Sequence, residues 1–291
     1  MDFLRPGSLD EALAMKAERP AALPVAGGTD VMVEINFDAR RPEALLDLSR
    51  VLSLSTWKHE TPGMLRIGAG VCYARMVGEL GSLLPGLAMA ARTVGSPQIR
   101  NRGTIGGNLG SASPAGDCHP VLLAAGAVVE VMSVRGRRLV RAADFFTGPK
   151  RSALEPDELI TAVLVPAAPG PQQFAKVGTR NAMVIAVCAF ALELRVAASQ
   201  VGTGIGSAGP TPLRAVEAEE FLAARLPWDS PGPLADSLTR EFGALVAAAA
   251  RPIDDVRGTA EYRRHALTVL ARRTLTWAWD GYRKERSDSC G

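Results

Sequence analysis

The 291-residue chain is 47% hydrophobic and 22% charged, with a formal net charge of +3. These values exclude global disorder and leave enough apolar material for one or two packed domains. The basic residues are scattered, without the aromatic and basic interleaving of nucleic-acid readers, so no nucleic-acid partner is expected.

The N-terminus, MDFLRPGSLDEAL, lacks the basic and apolar regions of a secretory leader. Ser8 and Glu11 have the S-x-x-E spacing of a capping box, which predicts a helix over 9–17. A short apolar run at 23–26 stops at Gly27-Gly28 and apolar character resumes at 31–35, the pattern of a strand, a glycine turn and a new element. Strands are predicted at 44–48 and 65–70, and helices at 76–84, 87–94 and 121–126. A hairpin of 128–133 with 138–142 turns at Arg135-Gly136, and a further strand covers 158–165. The Pro/Ala/Gly-rich stretch 166–171 is the expected domain boundary. Beyond it, 172–178, 189–197 and 200–207 are expected to pair as a small sheet, followed by helices over 216–225, 234–250 and 260–284.

The arginines of EYRRHALTVLARRTL alternate with apolar residues at helical spacing, as on a half-buried helix with a solvated face. The stretch MVIAVCAFAL at 183–192 has about half of the roughly 20 residues that a membrane span needs, and a cytoplasmic location is expected. Cys72, Cys118, Cys188 and Cys290 contain no C-x-x-C pair and read as reduced, mostly buried thiols. His59, His119 and His265 are too separated for a metal site. His119 is read as structural.

Three glycine clusters remain. In VAGGTDV (25–31) the turn follows a strand, and amides that converge there with the Thr29 hydroxyl would suit a pyrophosphate. Taken alone, this short segment reads as an ordinary β-turn with an Asx or Thr cap in preference to a binding turn. NRGTIGGNLGSASPAGDCHP (101–120) is richer. Thr104, Asn108, Ser111 and Ser113 offer short polar side chains, Gly106, Gly107 and Gly110 leave main chain bare, Pro114 stiffens the turn and Asp117 supplies an acceptor. That composition favours an extended nucleotide as guest. Neither cluster contains G-K-[ST]. The one literal G-x-G-x-x-G, Gly204 to Gly209, is followed by Pro210-Thr211-Pro212 and not by a helix, so it is rejected as a dinucleotide fingerprint.

Together, PVAGGTDV and SPQIRNRGTIGGNLGSASPAGD resemble the paired FAD-binding motifs of the flavoprotein subunit of molybdenum hydroxylases, the family of xanthine dehydrogenase and aerobic carbon monoxide dehydrogenase medium subunits. FLRPGSLDEAL, LRIGAGV, PDELITAVLVP, FAKVGTRNAMVIAV, GSAGPTPLRA and DDVRGTAEYRRHALTVLARRTL extend the resemblance over nearly the whole chain. It implies an α+β fold: a two-subdomain FAD-binding fold of the vanillyl-alcohol-oxidase (PCMH) type, then a C-terminal domain with a three-stranded antiparallel sheet and helices. The implied divisions are an FAD-binding domain over 1–170, with subdomains of about 1–55 and 56–170, a C-terminal domain over 171–285 and a tail at 286–291.

The resemblance further implies that Val25, Ala26, Gly27, Gly28, Thr29, Asp30 and Val31 wrap the FAD pyrophosphate. Thr104, Ile105, Gly106, Gly107 and Asn108, with Ser111, would contact phosphate and ribityl. Asp117 and Lys176 would lie near polar edges of the flavin, and Ile160 would touch the cofactor. The protein would be an oxidoreductase subunit without catalytic side chains of its own. It would receive electrons from a 2Fe-2S small subunit served by a molybdenum-cofactor large subunit, in a dimer of heterotrimers, and pass them through FAD to NAD, a quinone or oxygen. A stand-alone flavin oxidase or reductase and a non-catalytic scaffold remain as alternatives. The chain departs from many relatives in carrying Met183-Val184 where an aspartate precedes Ile-Ala, and it lacks the cysteine cluster of the benzoyl-CoA-reductase relatives.

Overall fold

The computed structural model describes residues 1–167, 170–229 and 231–289. The expected boundary at 166–171 therefore falls partly outside the described residues, as does Cys290.

The first layer is a parallel sheet in the order β1 (Asp2–Leu4), β3 (Ala44–Asp47), β2 (Leu23–Val25), with α1 (Leu9–Glu18) and α2 (Val31–Asn36) in its connections. Ser8 caps α1 by accepting from the Glu11 amide, and the Glu11 carboxylate accepts from the Gly7 amide. At the other end Lys16 closes the helix by donating to the carbonyls of Pro20 and Ala22, each at 2.7 Å. Sequence and structure agree here because the signals are local.

The second sheet is antiparallel. Its first strands are β4 (Trp57–Thr61) and β5 (Met64–Gly68), after which the chain forms the helices α3 (Tyr73–Glu79), α4 (Pro85–Thr93), α5 (Pro97–Arg102), α6 (Ile105–Ser111) and α7 (Cys118–Ala124). The chain continues through β6 (Val128–Ser133), β7 (Gly136–Arg141), α8 (Ala142–Phe145), the ribbon β8 (Phe146–Gly148) with β9 (Arg151–Ser152), and β10 (Leu159–Pro166). The strand order is β4-β5-β10-β6-β7. β10 lies at the centre and reads LITAVLVP, an unbroken apolar run suited to burial on both faces. Glu130 of β6 is buried in this sheet and takes hydrogen bonds from Arg66 (2.6 Å), Arg137 (2.7 Å) and Thr161 (2.6 Å), which compensates its charge.

The third sheet, β11 (Gln172–Val177), β12 (Cys188–Arg195) and β13 (Gln200–Gly206), is antiparallel in chain order and precedes α9 (Val216–Arg225), α10 (Asp236–Ala249) and α11 (Ala260–Ser289). Its two faces serve different cores. Cys188, Phe190, Leu192 and Leu194 of β12 pack among the C-terminal helices, whereas Ala189 and Ala191 join the core around α4 and α7. On β13, Gly202, Gly204 and Gly206 share one face. A Cβ at Gly204 would stand 1.9 Å from the Pro120 carbonyl oxygen, and one at Gly202 would stand 2.0 Å from that of Ala124. These glycines therefore let α7 lie directly on the sheet. The rejected fingerprint thus begins inside a strand.

Two expectations are corrected. The helix expected at 76–84 runs from Tyr73 to Glu79 instead. The run 101–120 is not an open loop: it contains the end of α5, all of α6 and the start of α7. Glycines there are compatible with helix because tertiary contacts override their low propensity.

Candidate functional site

The two glycine segments meet. A Cβ on Gly27 would lie 1.9 Å from the Arg102 carbonyl oxygen and 3.0 Å from the Gly103 Cα, so the turn after β2 rests directly on the junction of α5 and α6. Beside this contact opens a cleft of about 800 Å³. It is lined by every residue of the expected set except Ile105 and Lys176. Ile105 is fully buried in the core, and Lys176 stands behind Asp117.

The segments present different chemistry to the cleft. Among the described residues, the amides of Ala26, Gly27, Gly28, Thr29 and Asp30 donate to no protein acceptor, and Gly28 holds a φ of 76° that favours glycine. Successive unpaired amides of this kind form an anion-binding surface. In α6, by contrast, the amides are used internally. Ile105 donates to Val71, Gly106 to Ala69, Gly107 to the Thr104 side chain at 3.0 Å and Asn108 to the Thr104 carbonyl. What α6 offers is surface. Beyond Thr104 Oγ1 at 3.2 Å, a Cβ on Gly107 would meet nothing within 4 Å, and the buried Asn108 Oδ1 has no hydrogen-bond partner. A buried acceptor left unpaired costs on the order of 1–3 kcal/mol unless a ligand satisfies it.

His119 explains how Asn108 is held. Its Nε2 donates to the Asn108 carbonyl at 3.0 Å, and the Ser111 hydroxyl donates to the same oxygen at 2.9 Å. The imidazole is fully buried against Phe146. Burial pushes its pKa down to about 4, against the opposing pull of the Asn108 carbonyl.

Several lining residues carry no local signal in the sequence. Tyr73, at the start of α3, packs where a Cβ on Gly103 would intrude, 2.7 Å from its ring. Burial raises its pKa well above the ordinary value, with Cys118, Asp30 and Asp117 adding to the effect, so it stays a neutral hydroxyl. Arg75 donates from Nε and Nη2 to Glu79, each at 2.7 Å, and from Nη1 to the Ser55 carbonyl. Lys150, in the turn between β8 and β9, pairs with Glu34 of α2 at 2.7 Å and holds that carboxyl below its ordinary range. Met183, Val184 and Ile185, from the connection between β11 and β12, also line the cleft. All of these reach it through topology, which sequence spacing does not reveal.

Asp117 Oδ2 accepts from Lys176 at 2.5 Å and from the Thr93 hydroxyl at 2.9 Å. Burial nonetheless raises its pKa above the ordinary carboxylate value, Lys176 and Thr93 offsetting this in part. Among the described residues, no group of three or more His, Cys, Asp or Glu side chains could hold a metal ion, and no helix is long and apolar enough to cross a membrane.

Residues 1–168 match the family described as the FAD binding domain in molybdopterin dehydrogenase, and residues 173–278 match the CO dehydrogenase flavoprotein C-terminal domain. The chain belongs to the FAD-binding medium subunits of molybdenum hydroxylases. It is 33% identical over 282 residues to the nicotine 6-hydroxylase medium subunit of Paenarthrobacter nicotinovorans, covering 95% of this chain and 96% of the relative. To the carbon monoxide dehydrogenase medium chain of Afipia carboxidovorans it is 31% identical over 286 residues, covering 94% and 95%. A chain of the reconstituted CO dehydrogenase from Oligotropha carboxidovorans superposes with a TM-score of 0.88 at 29% identity, over 96% of this chain and 98% of that one. The protein is therefore an oxidoreductase flavoprotein subunit with the two-part α+β fold described above, and its cofactor is FAD. The donor set fits that cofactor: free amides for an anion beside an unpaired side-chain acceptor and bare glycine surface.

Proposed function

We propose that this medium subunit relays electrons from a 2Fe-2S small subunit, fed by a molybdenum-cofactor large subunit, to an acceptor such as NAD, within a cytoplasmic dimer of heterotrimers. When bound, FAD supplies the redox chemistry, taking electrons singly and releasing them singly or in pairs. The single observation that carries the reading is the joining of five unpaired amides at 26–30 to the unpaired Asn108 acceptor in one cleft.

In this reading the amides of Ala26 to Asp30 hold the pyrophosphate, with Val25 and Val31 flanking them. Thr104, Gly106, Gly107 and Ser111 shape the wall against which the ribityl chain lies, and Asn108 orients it by hydrogen bonding. Ile105 supports that wall from the core. Asp117 and Ile160 border the ring system, and Tyr73 adds a neutral hydroxyl. None of these side chains needs to gain or lose a proton during turnover. Relatives named for nicotine, carbon monoxide and glyceraldehyde share this subunit type, which supports placing substrate choice on another polypeptide. The domain division at 170/171 follows the gap between the two matched regions.

The test is purification of the native complex with metal analysis and a visible spectrum. One FAD per chain together with molybdenum and iron on co-purifying subunits is expected. A flavin-loaded chain that turns over a small molecule unaided would refute the relay.

A further inference from the structure

Lys176 sits on β11, in the C-terminal half of the chain, yet its ammonium group is committed to three separate segments near the cleft. It donates to Asp117 Oδ2 at 2.5 Å, to the Thr93 carbonyl at the end of α4 at 3.0 Å and to the Val184 carbonyl at 3.1 Å. An ammonium has three protons, and three acceptors use them. No donor is left over for a ligand.

The Val184 bond is the informative one. The connection 178–187 has few other ties. Arg180 donates to the Met183 carbonyl, the Val187 amide bonds to Val177, and Arg263 donates to the Val187 carbonyl. Met183 holds a left-handed φ of 50°, and Met183 and Ile185 are 53% and 60% exposed while lining the cleft. A segment with few ties, exposed apolar side chains and a left-handed residue belongs to the low-stability end of local opening, where a single added hydrogen bond counts. Gly178 allows close approach here, since a Cβ on it would stand 2.3 Å from a Val184 methyl.

We propose that Lys176 is a positioning residue that holds the 183–185 segment and the Asp117 carboxylate at the cleft wall from behind, without itself touching the cofactor. This rests on the cleft being the FAD site. It gives Lys176, expected near a polar edge of the flavin, an indirect role there, and it makes the C-terminal domain part of the cofactor's enclosure.

The experiment uses the full chain, with and without FAD, and follows trypsin cleavage after Arg180. Two variants are compared with the natural chain: Lys176→Met, and Lys176→Met with Asp117→Asn, which removes the buried charge pair as a unit. Loss of a charge-assisted hydrogen bond to the segment should raise cleavage after Arg180 about tenfold or more, relative to other sites, in both variants. Lys176→Met should keep its affinity for added FAD within about tenfold, because no direct contact is lost. Unchanged cleavage after Arg180 would overturn the proposal, and so would loss of FAD binding in Lys176→Met with cleavage unchanged, the mark of a direct ligand. If the natural chain took up no FAD, the cleft reading itself would fail, and the cleavage comparison in the cofactor-free chain would still decide the role of Lys176.

Discussion

At the scale of single residues, Gly107 and Gly27 illustrate two uses of the same amino acid. Gly27 is required by the protein itself, because a Cβ there would stand 1.9 Å from the Arg102 carbonyl oxygen and 3.0 Å from the Gly103 Cα. Gly107 is required by nothing in the protein beyond a 3.2 Å approach to Thr104 Oγ1. Gly107→Val should therefore fold with a melting temperature near that of the natural cofactor-free chain, since valine is no worse than glycine in a helix. It should nevertheless lose FAD, as followed by flavin absorbance after reconstitution. Asn108→Ala should likewise leave the cofactor-free fold intact, while weakening FAD by about 1–3 kcal/mol, the worth of an orphaned buried acceptor. His119 gives a pH signature. Its pKa is about 4 in the fold against about 6.5 unfolded, so the unfolded chain takes up the proton first. Stability is thus complete above pH 6.5 and falls as the pH drops towards about 4, by up to about 3 kcal/mol. Denaturant titrations between pH 7 and 4.5 should show that slope flattened in His119→Gln.

At the scale of elements, the legible parts were those with local causes. The capping box at Ser8 and Glu11, the apolar run of β10 and the two-residue turn between β6 and β7, where Ser133 pairs with Gly136, all stand close to their expected places. The helices α5 and α6 were hidden because glycine and polar residues mark turns in isolation, although Ser96 and Thr104 cap them by accepting from the Ile99 and Gly107 amides, and contacts with Ala69, Val71 and Tyr73 complete their setting. The polar side chains of the 101–120 run pointed to the right cleft. The main chain that looked bare there offers surface and not donors, because Ile105 and Gly106 donate to Val71 and Ala69 in the turn after β5, and Gly107 and Asn108 donate to Thr104. The glycines of β13 carry an element-scale prediction. Gly204→Ala would push a methyl group into the Pro120 carbonyl, separating α7 from the sheet. Overpacking against a backbone atom should cost about 3 kcal/mol, measured as a lowered denaturation midpoint. Since α7 begins at Cys118, next to Asp117, and carries His119, FAD affinity should fall in the same variant.

At the scale of the whole molecule, the C-terminal domain is more than an appendage. Lys176 reaches Asp117, Gln172 accepts from the Gly86 amide at 3.0 Å, and Arg195 donates to the Ala124 carbonyl at 2.6 Å. These bonds tie β11 and β12 to α4 and α7. Such long-range ties could not be read from spacing, whereas the family resemblance anticipated the overall architecture. The decisive measurement is on the assembled complex carrying Gly107→Val in this subunit. With substrate added anaerobically, its iron–sulfur clusters should still be reduced at the natural rate, while reduction of the acceptor should fall about a hundredfold or more, as expected when the cofactor that carries the chemistry is missing. Acceptor reduction that persists at the natural rate without bound FAD would contradict the relay.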